Sequence, residues 1–145
     1  MIAQLITSFI ASAGFGIIFN VPRDTLLRCG FVGMAGWLVY VLMAYEHAID
    51  PIIATLCASF AVTVTSQVLA KLFRTPIIVF SVAGIIPLVP GGIAYDAMRN
   101  VVENQYDQAL QLAAKAFMLS GAIAIGLVFS EVLNQLLMRR KQNVG

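Results

Sequence analysis

Charged residues are scarce in this sequence. They account for 11% of the 145 residues, whereas 60% are hydrophobic. An ordinary soluble domain has about 25% charged residues. Intrinsic disorder, collagen, coiled coils and disulfide scaffolds each require a composition that this chain lacks. We therefore predict an integral membrane protein.

Histidine and cysteine are also rare. Cys29 and Cys57 lie in apolar segments without a CxxC spacing, and we interpret both as buried thiols. His47 stands between Glu46 and Asp50 in a short polar segment, which we interpret as a solvated loop, with a loose cation site as the less favoured alternative. Catalytic residues, metal ligands and cofactors are not predicted.

Motifs of ATP-driven and hydrolytic chemistry are missing as well. The sequence contains neither a GxxxxGK[ST] loop nor a GxSxG turn, so it gives no support to an ATP-driven pump and little to a membrane-embedded enzyme. The one basic cluster, Arg139-Arg140-Lys141, follows the last apolar segment. We interpret it as an orientation signal and predict no nucleic-acid partner.

Five long stretches contain no charged residue. A helix needs about 20 mostly apolar residues to cross the hydrocarbon layer of a bilayer. The last stretch reaches that length only if its helix continues past Glu131 to about Met138. The sequence predicts a single all-α domain over residues 1–145 with about five transmembrane helices, built on residues 1–22, 29–45, 51–70, 75–95 and 116–130. Because the first stretch is too long for a signal-peptide core and no cation precedes it, we expect it to remain as a helix.

The cations alternate between the segments that separate these stretches. Seven of the nine fall on one side of the predicted bundle, and only Arg99 and Lys115 fall on the other. By the positive-inside rule, the N-terminus is expected outside and the C-terminus in the cytoplasm. An alternative with four spans, in which the first stretch lies in the interface, would place the N-terminus inside.

Polar side chains recur along the third predicted span. Thr55, Ser59, Thr63 and Gln67 are spaced by four and therefore share one helical stripe. Ser and Thr can bond to carbonyls of their own helix, so interhelical packing is one interpretation. The other is that Ser59, Thr63 and Gln67 line the path of a polar solute. We also expect Asn20, after the first span, to contribute a polar contact near the cytoplasmic mouth.

The fourth span is interrupted by prolines and glycines. Pro87 and Pro90 donate no amide hydrogen, and Gly91 and Gly92 permit unusual backbone, so we predict that this span is broken at Pro87 to Gly92. A helix that restarts after the break points its amide groups at the gap, where they would attract a substrate carboxylate. Broken helices form such sites in secondary transporters. The alternative is that the break lies at the outer surface and merely ends a span.

Three side chains near the break or the C-terminus extend this hypothesis. Tyr95 is a candidate for substrate binding, and Asp96 is a candidate for proton coupling or for a simple interaction with the helix dipole. Ala97, Met98, Val101 and Val102 are expected to pack a short helix over the bundle. Glu131 either pairs with cytoplasmic cations or, if it faces the interior, carries protons. Its helix is expected to run from Asp107 to about Met138.

Several short motifs resemble the C-terminal half of bacterial threonine/serine exporters. The resemblance extends from about Phe19 to Leu127. The motifs are specific for the family only when they occur together. Its motifs are Phe19-Asn20-Val21-Pro22, Gly36-Trp37, Phe80, Gly84-Ile85-Ile86-Pro87-Leu88-Val89-Pro90-Gly91, Tyr95 and Met98.

The resemblance implies a multi-pass protein of the bacterial cytoplasmic (inner) membrane that exports threonine or serine with the proton gradient. Some members of the family are split between two subunits, and some split pairs are associated with dicarboxylates such as succinate. This chain looks like the small separate subunit, so the implied partner is a second membrane subunit resembling the N-terminal half. A homo-oligomer is an alternative assembly, and a scaffold that transports nothing is the rival function.

Overall fold

The computed structural model describes the backbone of residues 1–142 and the side chains of residues 1–140, and the regular secondary structure of this part of the chain is all helical. The side chain of Lys141, the last residue of the predicted basic cluster, lies outside that range. The helices are α1 (Ile2–Ile18), α2 (Arg23–Val41), α3 (Pro51–Phe73), α4 (Ile77–Ile85), α5 (Gly91–Val102) and α6 (Tyr106–Gln142). A π-helical turn, Leu42–Glu46, extends α2, and a 3-10 turn, Ile86–Leu88, extends α4.

The lengths of these helices are compatible with a membrane protein. Three are long and apolar enough to cross a bilayer, namely Arg23–Glu46, Pro51–Phe73 and Tyr106–Arg140. A fourth span results if α4 and α5, bent by 51° at the break, are counted together. The apolar helix α1 has 17 residues and is about 25 Å long. The described residues therefore contain three to four long apolar helices and one shorter one.

Local sequence signals set the ends of the helices. Asp50 caps α3, because its Oδ1 accepts a hydrogen bond of 2.8 Å from the amide of Ile52, and Pro51 occupies the first helical position. At the end of α1, Asn20 adopts a left-handed conformation with φ 56°. The amides of Asn20 and Val21 donate to the carbonyls of Ile17 and Gly16, which closes the helix in the usual left-handed manner.

Helix α2 lies at the centre of the bundle. It packs against α1, α3 and α4, while α6 packs against α3 and α5. Small residues permit close approach, since a methyl group at Gly36 or Gly84 would overlap Val62 or Val32. The buried apolar core consists of Cys29, Val32, Ala58, Val62, Phe80, Ala83, Leu88 and Ile123.

Contacts between charged or polar side chains show which helix ends lie together. The guanidinium of Arg28, early in α2, lies 3.4 Å from the ring centre of Phe73 at the end of α3. Lys71 Nζ donates a hydrogen bond of 2.9 Å to Asn134 Oδ1 in α6. The beginning of α2, the end of α3 and the later part of α6 therefore share one end of the bundle, and α3 and α6 run parallel.

Two sequence-based expectations differ from the structure. Helix α6 begins at Tyr106 and continues to Gln142, four residues beyond the expected end near Met138. The expectation that Met98, Val101 and Val102 pack over the bundle is wrong. Met98 and Val102 are 67% and 80% exposed. Only Ala97 and Asn100 of α5 are buried, because α5 packs mainly against α6.

Candidate functional site

The break between α4 and α5 leaves amide groups without partners. The Gly91 amide donates to the Val89 carbonyl at 2.8 Å, and the Ala94 amide donates to the Pro90 carbonyl at 3.0 Å. Between them, the amides of Gly92 and Ile93 have no acceptor in the described part of the chain, and no side chain caps α5. A helix terminus of this kind carries a partial positive charge and can bind an anion.

Open space surrounds this first turn of α5. A methyl group added to Gly91 or Gly92 would meet no atom within 4 Å, and both glycines are exposed. Neither has a positive φ, so the glycines are not required by the backbone conformation here. Their small size instead keeps the approach to the free amides unobstructed.

A cleft of about 230 Å³ lies beside the break. This volume is smaller than the roughly 300–1,000 Å³ of pockets for drug-sized ligands and suits a small metabolite. None of the lining residues is charged. They come from α2, α3, α6 and the break itself: Trp37, Tyr40, Thr55, Pro87, Leu88, Val89, Pro90, Gly92, Ile93 and Leu119.

Trp37 and Tyr40 form an aromatic wall of the cleft. Their ring centres are 5.1 Å apart with an interplanar angle of 33°. The indole Nε1 of Trp37 is buried, and no atom of the described residues accepts a hydrogen bond from it. A buried indole N–H usually donates to an acceptor, so the missing partner is unusual. Thr55 uses its hydroxyl hydrogen for the Pro51 carbonyl at 2.7 Å, which leaves the oxygen as an acceptor.

The structure brings some of the predicted substrate-binding residues to this cleft. Pro87, Pro90 and Gly92 line it, and Gly91 is the next residue along the chain. Tyr95, in the following turn of α5, is 67% exposed and does not line the cleft. Asp96 is also exposed.

Asn20 lies far from the cleft. It follows α1 at the end of the bundle where α2 begins, and Trp37 is fourteen residues, or about 21 Å, along α2 from Arg23. The structure gives Asn20 a role in closing α1, through its left-handed conformation, and does not place it among the cleft residues.

The polar stripe of α3 faces α6 over most of its length. Ser59 and Thr63 are buried, and their hydroxyls donate to the carbonyls of Leu56 at 2.8 Å and Ser59 at 3.0 Å in the same helix. Ser59 packs against Gly126 of α6. Gln67, twelve residues after Thr55, lies about 18 Å along α3 from the cleft. Thr55 alone of the stripe lines the cleft.

A second polar cluster surrounds Glu131 at the α3–α6 contact. Gln67 Nε2 lies 3.3 Å from the Ser130 carbonyl oxygen and 3.4 Å from Glu131 Oε2, and donates to both. Gln135 Nε2 donates to Glu131 Oε1 at 3.2 Å. Among the described side chains, Glu131 forms no ion pair, and Lys71 binds Asn134 instead. The half-buried carboxylate is therefore held by two amides.

Sequence reasoning did not assign Trp37, Tyr40, Thr55 or Leu119 to the cleft. The sequence nevertheless indicated which residues could meet. The predicted alternation of helix directions puts the end of α2, the beginning of α3 and the later part of the fourth predicted span at the same end of the bundle. Trp37 and Thr55 lie near that end, whereas Ser59, Thr63 and Gln67 follow progressively further along α3.

Residues 4–133 match the model of a protein family described as "Threonine/Serine exporter, ThrE". The chain belongs to the threonine/serine exporter family. It is 26% identical over 137 residues to a threonine/serine exporter of Corynebacterium glutamicum. The aligned region covers 94% of this chain and 28% of that protein.

A second relative is an uncharacterized protein of Haemophilus influenzae. This chain is 28% identical to it over 149 residues, and the aligned region covers 99% of this chain and 50% of that protein. The chain thus spans half or less of the length of these relatives. No solved structure matches it.

Proposed function

We propose that this chain is one half of a secondary exporter in the bacterial cytoplasmic membrane and that its solute is threonine or serine. Membership of the threonine/serine exporter family supports the exporter role. The observation that carries the proposal is the small uncharged cleft at the broken fourth span, with two unpartnered amides at its edge.

The carboxylate of the solute binds at the beginning of α5. The amides of Gly92 and Ile93 are free there, and the helix dipole adds a favourable field. Discontinuous helices hold anionic substrate groups in this way in other secondary transporters. Pro87 and Pro90 maintain the gap because neither can donate to a continuous helix.

The lining of the cleft favours an amino acid over a dicarboxylate. Only one set of anion donors is present, so the second carboxylate of succinate would lie among apolar groups such as Leu88 and Leu119. The ammonium of an amino acid can instead lie against the faces of Trp37 and Tyr40. Thr55 offers a hydroxyl oxygen to the solute hydroxyl. Dicarboxylate export is the alternative function.

The proposed topology has five spans, with the N-terminus outside and the C-terminus in the cytoplasm. The bundle end formed by early α2, late α3 and late α6 carries most of the cations of the sequence, as a cytoplasmic end should. Helix α1, about 25 Å long, can span if the bilayer thins locally or its flanking residues extend to the interface. A four-span topology with α1 in the interface is the alternative.

Glu131 is the proposed proton carrier, and Asp96 is the second candidate. An ionisable group within a transmembrane helix is costly and usually functional. Glu131 lies eight residues, or about 12 Å, before Arg139, and only amides bind its carboxylate. Twelve residues separate it from Leu119 in the cleft, so coupling to the solute must act over about 18 Å along α6.

The proposed partner is a second membrane subunit resembling the N-terminal half of the family. Support comes from the lengths of the relatives, of which this chain covers 50% and 28%. Alternating access commonly uses two related halves around a central site. The exposed Asp96 of α5 would then face the partner or water instead of lipid. A homo-oligomer is the alternative assembly.

The test is efflux of preloaded labelled threonine, serine and succinate from cells that make this chain, alone and with its candidate partner. A protonophore is added in parallel samples. We expect threonine and serine to leave faster only when both subunits are present, and the protonophore to abolish the difference. Efflux of succinate alone would favour the alternative substrate.

A scaffold that positions another transporter is the rival function. It predicts that changes at the break alter complex assembly and leave solute selectivity unchanged. Membrane insertion and complex formation without efflux of any of the three solutes would favour the scaffold and reject the exporter proposal.

A further inference from the structure

We propose that Arg28 and Arg74, at the bundle end where α2 begins and α3 ends, bind the phosphate of an anionic phospholipid. The proposal concerns the surrounding lipid and not the transported solute, so it goes beyond the proposed function and can fail separately from it. It requires only that this end of the bundle lies at a bilayer surface.

The two arginines lie close together because a contact joins their helices. The guanidinium of Arg28 in α2 lies over the ring of Phe73, with 3.4 Å between its central carbon and the ring centre. Arg74 follows Phe73 directly and ends α3. The ring holds Arg28 by the face of its guanidinium. The N–H groups at the edge of the guanidinium remain in one plane, where they can bind two oxygens of a phosphate.

Neither arginine is neutralised by a carboxylate. The ion pair found among the described side chains joins Arg99 to Glu103, away from this end of the bundle. Asp24, four residues before Arg28, is exposed and does not lie within ion-pair distance of it. Glu131 is held by two amides instead. The charges of the two arginines are therefore available to an anion from outside the chain.

The position of the arginines along the bundle matches that of lipid head groups. Helix α3 has 23 residues and is long enough to cross a bilayer, and Arg74 comes directly after its last residue. Exposed apolar side chains precede both arginines in sequence, namely Leu27 (64% exposed) and Leu72 (69%). Paired charge and exposed apolar surface fit a lipid, which has a phosphate and acyl chains, better than an acidic protein surface, which offers only charge.

The backbone of Arg74 makes a sharp test possible. Arg74 has φ 52°, and the following amide of Thr75 donates to the Ala70 carbonyl, which closes α3. Glycine adopts this left-handed conformation more easily than any other residue. Arg74→Gly therefore removes the guanidinium while favouring the native backbone. Ala48→Gly, at an exposed position with φ 49° in the loop before α3, is the control for the backbone effect.

The experiment measures thermal unfolding of the full chain, purified in detergent micelles with added phosphatidylglycerol, phosphatidylcholine or inorganic phosphate. We expect phosphatidylglycerol to raise the unfolding midpoint by several degrees over phosphatidylcholine, because a ligand of the folded state stabilises it. Equal midpoints with the two lipids would overturn the proposal. An equal rise with inorganic phosphate would identify a site for the free ion and reject the lipid.

The variants test the assignment of the two residues. We expect Arg74→Gly and Arg28→Gln each to raise the phosphatidylglycerol concentration for half of the shift about tenfold, since charge-assisted hydrogen bonds are lost. Arg139→Gln, which removes a cation from α6 near the same end, and Ala48→Gly should each change it less than threefold. An equal loss in Arg139→Gln would show a diffuse charge effect and overturn the site.

The remaining outcomes concern folding and a protein partner. If Arg28→Gln does not fold, Arg74→Gly decides, because its backbone is favoured. If phosphatidylglycerol has no effect and the candidate partner subunit stabilises the wild type but not Arg74→Gly, the arginines bind an acidic protein surface and the proposal is rejected. Transport is not measured, so none of these results bears on the exporter proposal.

Discussion

Gln67 of α3 donates a hydrogen bond to Glu131 of α6, with 3.4 Å between Nε2 and Oε2. The same amide nitrogen lies 3.3 Å from the Ser130 carbonyl oxygen, so one side chain ties α3 to both the backbone and the carboxylate of α6. An amide can donate to an ionised or a protonated carboxyl group alike. The contact between the helices would therefore persist in either of the two states that the proposed role of Glu131 requires.

Replacing Glu131 with Gln should separate coupling from transport. The variant keeps the size of the side chain and one oxygen that can accept from Gln67, although it loses the acceptor for Gln135. It cannot bind or release a proton. We expect efflux of threonine driven by the proton gradient to be abolished, while exchange of labelled for unlabelled threonine continues. Efflux and exchange are measured in the same vesicles, each over a range of pH.

Asp107→Asn is the control for this prediction, because it removes an exposed carboxylate from the first turn of the same helix. It should retain gradient-driven efflux. If Glu131→Gln leaves the pH dependence of efflux unchanged, Glu131 is not the proton carrier, and Asp96 becomes the next candidate.

Replacing Gly126 with Ala should weaken the α3–α6 contact. A methyl group there would overlap the Ser59 hydroxyl and lie 2.7 Å from the Leu56 carbonyl oxygen. Since α3 and α6 must move apart to accept it, we expect the unfolding free energy to fall by about 1–3 kcal/mol. The measurement is thermal or denaturant unfolding of the purified chain in detergent.

Gly121→Ala supplies the comparison for Gly126→Ala. A methyl group at Gly121 meets no atom within 4 Å, so the change should stabilise α6 by up to about 1 kcal/mol through helix propensity. The close packing at Gly126 would be disproved by equal effects of the two substitutions.

The helical class, the break and the polar stripe follow from composition and spacing, because each depends on residues close together in sequence. Pro87, Pro90, Gly91 and Gly92 interrupt a helix regardless of its neighbours. The apolar stretches likewise identify α2, α3 and α6 without reference to packing.

The composition of the cleft is not predictable in the same way. Trp37, Thr55 and Leu119 come from three helices, and only the rotation of each helix in the bundle decides which side chains meet. The period of four put Ser59, Thr63 and Gln67 on one face, but it did not say that this face packs against α6. The pairing of Gln67 with Glu131 depends on the same long-range arrangement.

Substitutions of Asn20 can show whether this residue binds solute or only ends helix α1. Because it adopts φ 56°, Asn20→Ala should destabilise the chain by about 1 kcal/mol, whereas Asn20→Gly, which accepts that backbone easily, should not. Unfolding of the two variants in detergent measures the difference. If both variants are equally stable and both lose threonine exchange, Asn20 contributes a polar contact to transport, as its sequence context suggested.

Gly92→Ala should reduce solute affinity without destabilising the fold. An added methyl group meets no protein atom within 4 Å, and alanine is a better helix former than glycine at the beginning of α5. The methyl group would nevertheless occupy part of the cleft beside a free amide, so we expect the half-saturation concentration for threonine exchange to rise roughly tenfold. Gly14→Ala, which also meets no neighbour but lies in α1 away from the cleft, is the matched control. If Gly92→Ala and Gly14→Ala exchange threonine with the same half-saturation, the carboxylate does not bind at the first turn of α5, and the solute site must be sought elsewhere in the bundle.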